Sequence, residues 1–509
     1  MTVLVRGPED LDPAAIRLIA RGARVVLDER LLVQVAAQRQ AALTVLTDCM
    51  QPVYGVNTGM GRLSSTALTA DEQAEHQARL LIGRAVGGPP WLSAEEVRAL
   101  FAVRLRGFLT PETGASADAV RFLVDRLNDG FVPAVPATGL GSAGEILALS
   151  HAFQTFLGIG TVLEDGRQIP ASQALADRGV EPYRPGPKEG LSFIQGAPIT
   201  AAQAVLLAAQ GFDAVDRQLL CVTTAVDVLG APRGIYRPEL AGSDSVLADV
   251  LACVRDAADG GVLRDGVVQA PVSLRVGPQA IAHARRTLVE LEDAARRFLS
   301  APTDSPAFVD GEFVSTAGFH AAELGLRMDA AKAALVHVAE VGVQRMHRML
   351  DERFSGLTPQ LTPRPGPNAG LAPLHKRAVG ELHAMRMHVA PASLGALDTS
   401  AGQEDVQVFA AEAAYQLYTA VVHLDVITAC ELITAHQAHT LRAKEPAPAL
   451  AEVYRQLSEV VPAVVEDRPL GPEVTRLVDA LRTGKLRAVT TFAAAAWSPR
   501  AARAARQSE

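Results

Sequence analysis

The chain is poor in aromatic residues, has no clustered cysteines and carries no surplus of positive charge. Aromatics make up 5% of its 509 residues, against a hydrophobic share of 49%. Ala, Leu, Val and Arg dominate instead, and Ala, Leu and Arg lead the helix-propensity ranking, which predicts a helix-rich protein. The four cysteines are Cys49, Cys221, Cys253 and Cys430. They lie far apart without CxxC or Cys/His ligand spacing, so buried reduced thiols are expected rather than disulfides or a metal site. Acidic residues outnumber basic ones 56 to 48, a net charge of −8, which argues against a nucleic-acid surface. The basic stretch at 498–506 reads as a solvated end. No uninterrupted apolar run approaches the ~20 residues of a membrane span. The start, Met1-Thr-Val-Leu-Val-Arg-Gly-Pro, lacks the charged and apolar regions of a secretory signal. These absences predict a cytoplasmic protein with neither membrane nor nucleic acid as partner.

What is present falls into two textures. Residues 1–197 are punctuated by Gly and Pro and read as a smaller mixed N-terminal domain of short helices and loops. Within it Asp12 is placed to cap a helix that begins at Pro13. Residues 198–509 read as a long-helix bundle domain. Segments 199–229, 276–299, 321–350 and 403–441 repeat apolar residues at three- and four-residue spacing, and helices of that length need partners for their apolar faces. The Pro- and Gly-rich segment 355–370 is expected to be a loop between bundle helices. The fold class is mainly α.

Two segments carry the chemistry. One is Tyr54-Gly-Val-Asn-Thr-Gly-Met-Gly61; the other runs from Pro133 through Thr138-Gly-Leu-Gly-Ser-Ala-Gly-Glu145 to His151. The second contains a formal G-x-G-x-x-G at 139–144, but a dinucleotide site also needs a preceding strand and a βαβ unit. Pro133-Ala-Val-Pro136 precedes it, and no βαβ alternation follows. A G-x-S-x-G nucleophile elbow fails because Leu140 occupies the first glycine position.

Together the two segments resemble the signature segments of the aromatic amino acid ammonia-lyase and aminomutase family. The resemblance continues in order through Glu75-His-Gln-Ala-Arg-Leu-Leu81, Lys188-Glu-Gly-Leu-Ser-Phe-Ile-Gln-Gly196 and Val272-Ser-Leu-Arg-Val-Gly-Pro-Gln279. Thr303-Asp-Ser-Pro306, Ala317-Gly-Phe-His-Ala321 and Thr399-Ser-Ala-Gly-Gln-Glu-Asp405 complete it. It implies the ammonia-lyase fold with a long central helix bundle, a homotetramer whose active sites draw on three subunits, and a small-molecule substrate. It also implies a methylideneimidazolone electrophile made from an Ala-Ser-Gly tripeptide. Counted back from His151 without a gap, the serine that must lose water falls on Ala143, whose methyl has no leaving group. No cofactor and no metal are therefore expected. The alternative is a frame shifted by one residue, in which Ser142 supplies the hydroxyl.

By the same resemblance Tyr54 is the acid/base and Arg275 the carboxylate clamp, a role that suits a planar guanidinium. Gly61, Arg84, Gln195, Gln269, Val272, Phe319, Gln403 and Glu404 fall on pocket-lining positions. A structural salt bridge is the other reading of Arg275, and a capping or interhelical role that of Gln403 and Glu404. Several positions depart from the family pattern. Gln195 replaces an asparagine, Val272 a tyrosine, and Gly318 an asparagine. Arg84 stands where the family faces the far end of the substrate side chain. It predicts a carboxylate, phenolate or carbonyl there, unless it turns to a surface carboxylate.

Three functions stay open on this reading. The first is an elimination, addition or isomerisation on a carboxylate-bearing aromatic or enone-like molecule without the prosthetic group. The second is a conventional ammonia-lyase or aminomutase using Ser142. The third is a non-catalytic small-molecule-binding or partner paralogue.

Overall fold

The computed structural model describes residues 1–48, 51–395 and 397–496. Cys49 and the basic 498–506 stretch lie outside them. Helices dominate, in keeping with the composition, and the strands form three two-stranded pairs among the described residues. Thr2–Val5 pairs parallel with Arg24–Leu27, while Thr161–Glu164 with Arg167–Pro170 and Ala307–Val309 with Glu312–Val314 are antiparallel. No named strand leads into the 139–144 segment, and the helix Ile146–Phe153 follows it, so the dinucleotide reading is excluded.

The long helices are Pro198–Leu229, Gly277–Ser300, Ala322–Leu350 and Ala410–Arg442. Three match the expected spans closely. The fourth begins seven residues later than expected, because residues 403–409 belong to a turn that carries two of the site residues. The 355–370 loop holds one short 3-10 turn, Pro359–Leu361. Apolar windows in Glu189–Leu229 and Ala410–Arg442 reach a mean hydropathy of 1.4, but they are 100% and 72% buried within the protein, as core helices are.

Contacts divide the chain into two compact units that interleave in sequence. The first comprises Met1–Ala208, Leu291–Asp329 and Pro391–Gln416; the second comprises Ala209–Glu290, Ala330–Ala390 and Leu417–Glu509. The single boundary expected at 197/198 marks the change of texture along the chain. Packing, however, returns residues 291–329 and 391–416 to the first unit.

In the first unit, side-chain caps start the short helices. Asp12 accepts from Ala15 N at 2.8 Å, and Thr69/Glu72 and Ser93/Glu96 form reciprocal capping boxes. The scarce aromatics are gathered here: Phe153 meets Phe193 at 4.9 Å between ring centroids, and Phe122 meets Phe156 at 4.9 Å. These rings pack the helix Glu189–Ile194 against the helix that follows the 139–144 segment, fixing the floor of the candidate site. In the second unit a buried ion pair joins long helices. Arg345 Nε donates to Glu431 Oε1 at 2.7 Å, and Arg345 Nη2 donates to Gln218 Oε1 at 2.9 Å. Cys221, Cys253 and Cys430 are buried and outside any disulfide among the described residues, and burial pushes the Cys430 thiol up to about 12.

Candidate active site

The loop that carries Tyr54 is drawn tight by glycine. Gly55 and Gly61 have φ of +68° and +59°, a region in which a side chain is strained, and a Cβ on Gly55 would lie 3.0 Å from Met60 Cγ. This curl brings the Gly61 N–H back to the Tyr54 phenol oxygen, to which it donates at 2.8 Å. The loop is pinned behind by Gln77, whose Nε2 donates to Gly55 O at 3.2 Å. With its oxygen held by Gly61, the phenol keeps its own O–H free for a ligand.

Arg84 follows directly on the helix Ala70–Ile82 and its Gly83 cap. Its Nη2 donates to Met60 Sδ at 3.6 Å, and no carboxylate lies within ion-pair distance among the described residues. Arg84 therefore does not turn to a surface carboxylate. Burial lowers its pKa, and the charges of Tyr54 and Glu404 oppose that shift, so the three groups share one electrostatic environment.

Glu404 sits on the turn after Thr399, where Ser400 and Ala401 both have φ of 53°. Its Oε2 accepts from Ala143 N at 3.3 Å, tying the turn to the 139–144 segment. Gly139 N is held in the same way by Glu412 Oε1 at 2.7 Å. The Ser142 hydroxyl, buried at 7% exposure, donates to Gly144 O. Beside it a cavity of about 40 Å³ is lined by Ser142, Gly144, Glu145, Phe319 and Ala321 among others. Glu145 accepts from Ile199 N and Thr200 N, both at 2.7 Å, and so caps the first long helix. Gln403 is exposed.

Two of the departures from the family pattern acquire a physical reason. Gly318 packs so closely that a Cβ would lie 2.1 Å from Pro302 O, so no asparagine fits this backbone. The Gln195 amide, expected to meet substrate, is fully engaged in the protein: Nε2 donates to Ser305 O and Oε1 accepts from Ser305 N. Behind it Arg104 donates to Ser192 O at 2.9 Å and to Gln195 O, and Asp304 lies 3.3 Å from Lys188 Nζ and 3.9 Å from Arg104 Nη1. The longer side chain at 195 thus spans to the 303–306 turn and holds it.

Gln269, Val272 and Arg275 belong to the second unit. There they line a cavity of about 460 Å³ together with Arg264 and Arg353. Arg264 is spent on the carbonyls of Arg353 and Phe354, and Arg353 on Asp351. Arg275 makes no ion pair among the described residues, and its Nε is buried without a partner. Val272 is 58% exposed at the mouth.

Sequence reasoning missed His76. Its Nε2 is buried with no partner, and burial together with the charges of Arg84 and Arg79 holds its imidazole below the ordinary value. The only signal in the sequence was its place in the 75–81 segment. Met60, the sulfur partner of Arg84, was visible only as part of a motif.

Comparison with known proteins gives a consistent result. A family model described as aromatic amino acid lyase matches residues 11–459. The chain is 31% identical over 502 residues to a histidine ammonia-lyase of Aromatoleum aromaticum, covering 95% of this chain and 94% of that protein. Among solved structures, tyrosine aminomutase from Streptomyces globisporus superposes with a TM-score of 0.89 at 24% identity, covering 94% of this chain and 97% of the other. Ergothionase from Treponema denticola, described as an ergothioneine-degrading enzyme, gives 0.88 at 22% identity, covering 96% and 99%.

Proposed function

The chain belongs to the aromatic amino acid lyase family and is a lyase-type enzyme, and from that premise we propose that it works without the family's backbone-derived electrophile. The reaction is an elimination, addition or isomerisation on a carboxylate-bearing aromatic or enone-like small molecule. The observation that carries this reading is the 141–144 segment. Ala143 has no hydroxyl to lose, and the Ser142 hydroxyl beside it is committed to Gly144 O. The residues present do not fit the prosthetic group.

Tyr54 is the acid/base. In an elimination the Tyr54 oxygen, once its O–H proton has passed to solvent, takes the proton from the carbon next to the one bearing the leaving group. The C–H electron pair becomes the new π bond, and the leaving group departs with its own pair. In an isomerisation the same oxygen returns the proton at a second carbon. Steps of this kind need a positioned acid/base and fixed charge, and such a group contributes about 10²–10⁴-fold. Arg275 clamps the carboxylate, supplied from a neighbouring copy in a homotetramer such as family members form. Glu404 and Phe319 shape the pocket around the reacting carbons, while Gln195 holds the turn behind it.

The test is a panel of aryl-substituted acids carrying leaving groups other than ammonia, followed by absorbance of the conjugated product. Turnover that Tyr54→Phe abolishes supports the reading. Turnover that survives Tyr54→Phe removes the tyrosine from the mechanism. A conventional lyase working through Ser142 would instead release ammonia from His, Phe or Tyr and lose it in Ser142→Ala.

A further inference from the structure

One group in the site has no partner equal to its charge among the described residues. Arg84 offers five N–H donors, and its recorded bond goes to a thioether sulfur, a weak acceptor. The nearby Glu404 carboxylate is turned to Ala143 N and Thr399 Oγ1 instead. Burial works against the guanidinium charge, so the protein bears a desolvation cost that its own contacts do not repay. His76 adds a second unmet group nearby. Its Nε2 is buried without a partner, and burial, with the charges of Arg84 and Arg79, disfavours the protonated ring; a ring nitrogen carrying hydrogen can donate it.

Resting on the reading that this site takes a carboxylate-bearing small molecule, we infer that the substrate is a dianion whose second carboxylate is bound by Arg84, with His76 beside it. In that reading Arg275 serves one carboxylate; Arg84 is a second guanidinium, with no carboxylate within ion-pair distance among the described residues. A plain aryl ring against Arg84 would desolvate it further and return no acceptor. A carboxylate matches the guanidinium fork through two parallel hydrogen bonds and cancels its charge. The helix that ends at Gly83 favours a cation at this point, but no carbonyl of that helix accepts from the Arg84 side chain among the described residues.

Calorimetric titration of the full-length protein with cinnamate, 4-hydroxycinnamate and 4-carboxycinnamate tests the inference. The dicarboxylate is expected to bind at least about tenfold more tightly than cinnamate, the ratio that one added charged hydrogen-bonded pair supplies. Arg84→Leu should bring that ratio to about one, while Arg84→Lys, which keeps the charge and loses the fork, retains part of it. Equal binding of cinnamate and 4-carboxycinnamate overturns the inference and leaves the proposed function standing. So does a preference that survives Arg84→Leu, or 4-hydroxycinnamate binding as tightly as the dicarboxylate. If none of the three acids binds, the carboxylate pocket itself fails, and the inference falls with it.

Discussion

Arg345 is fully buried and Arg84 half-buried, and their donors are met in opposite ways. Arg345, at 1% side-chain exposure, has a carboxylate on two of its nitrogens and an amide oxygen besides. Arg84 has a sulfur atom. A buried charge with its donors satisfied holds helices in register, and removing its partner is costly. A charge left unsatisfied near a phenol is arranged for something that arrives later. The same contrast separates Gln195, whose amide is spent on Ser305, from Tyr54, whose oxygen accepts one N–H and whose O–H stays free. Residue type alone does not distinguish a scaffold from a site; the count of partners does.

Variants on each side of this contrast should behave differently. The largest expected effect is on rate: Tyr54→Phe lowers turnover by about 10²–10⁴-fold with an unchanged melting temperature. A parallel loss of stability would move Tyr54 to the scaffold side. Next comes Arg345→Met, which strands Glu431 in the core and should cost about 3–5 kcal/mol in chemical denaturation. A cost near zero would remove Arg345 from the scaffold.

The second unit should also show its buried histidine in the acid limb of stability. Burial, aided by His439 and opposed by the backbone of Val461, lowers His436 from 6.5 to about 4. The unfolded chain binds this proton as pH falls below 6.5, and the folded chain does not until about 4. The contribution is therefore complete above 6.5 and is lost as pH falls through that window, by about 2–3 kcal/mol in all. His436→Leu should flatten that limb in denaturant titrations at stepped pH; an unaltered slope would assign it to other groups. The smallest effect is expected for Arg84→Leu, which should change stability by no more than about 0.5 kcal/mol. A loss comparable to that of Arg345→Met would mean that Arg84 is structural after all.

Much of this was legible in the chain. Helical periodicity located three of the four long helices, because apolar stripes follow packing. The start of the fourth was misplaced, since residues 403–409 have no proline or glycine beyond Gly402 to mark the turn. Its strain sits on Ser400 and Ala401 instead. Motif resemblance named Tyr54, Arg84, Ser142, Ala143, Phe319 and Glu404 on both sides of the boundary expected at 197/198, and the structure places all six in the first unit. It did not reveal that Gln195 faces away toward Ser305, because one added methylene changes reach rather than chemistry. Nor did it single out His76, whose interest lies in the partner it lacks. A sequence lists donors and acceptors but not which of them are met.

The absence of the backbone-derived electrophile is the central claim, and intact-mass measurement of the purified full-length protein tests it most directly. The account predicts a mass equal to that of the unmodified 509-residue chain. A mass lower by two waters, lost again in Ser142→Ala, would show that the segment cyclises and dehydrates and would contradict the account.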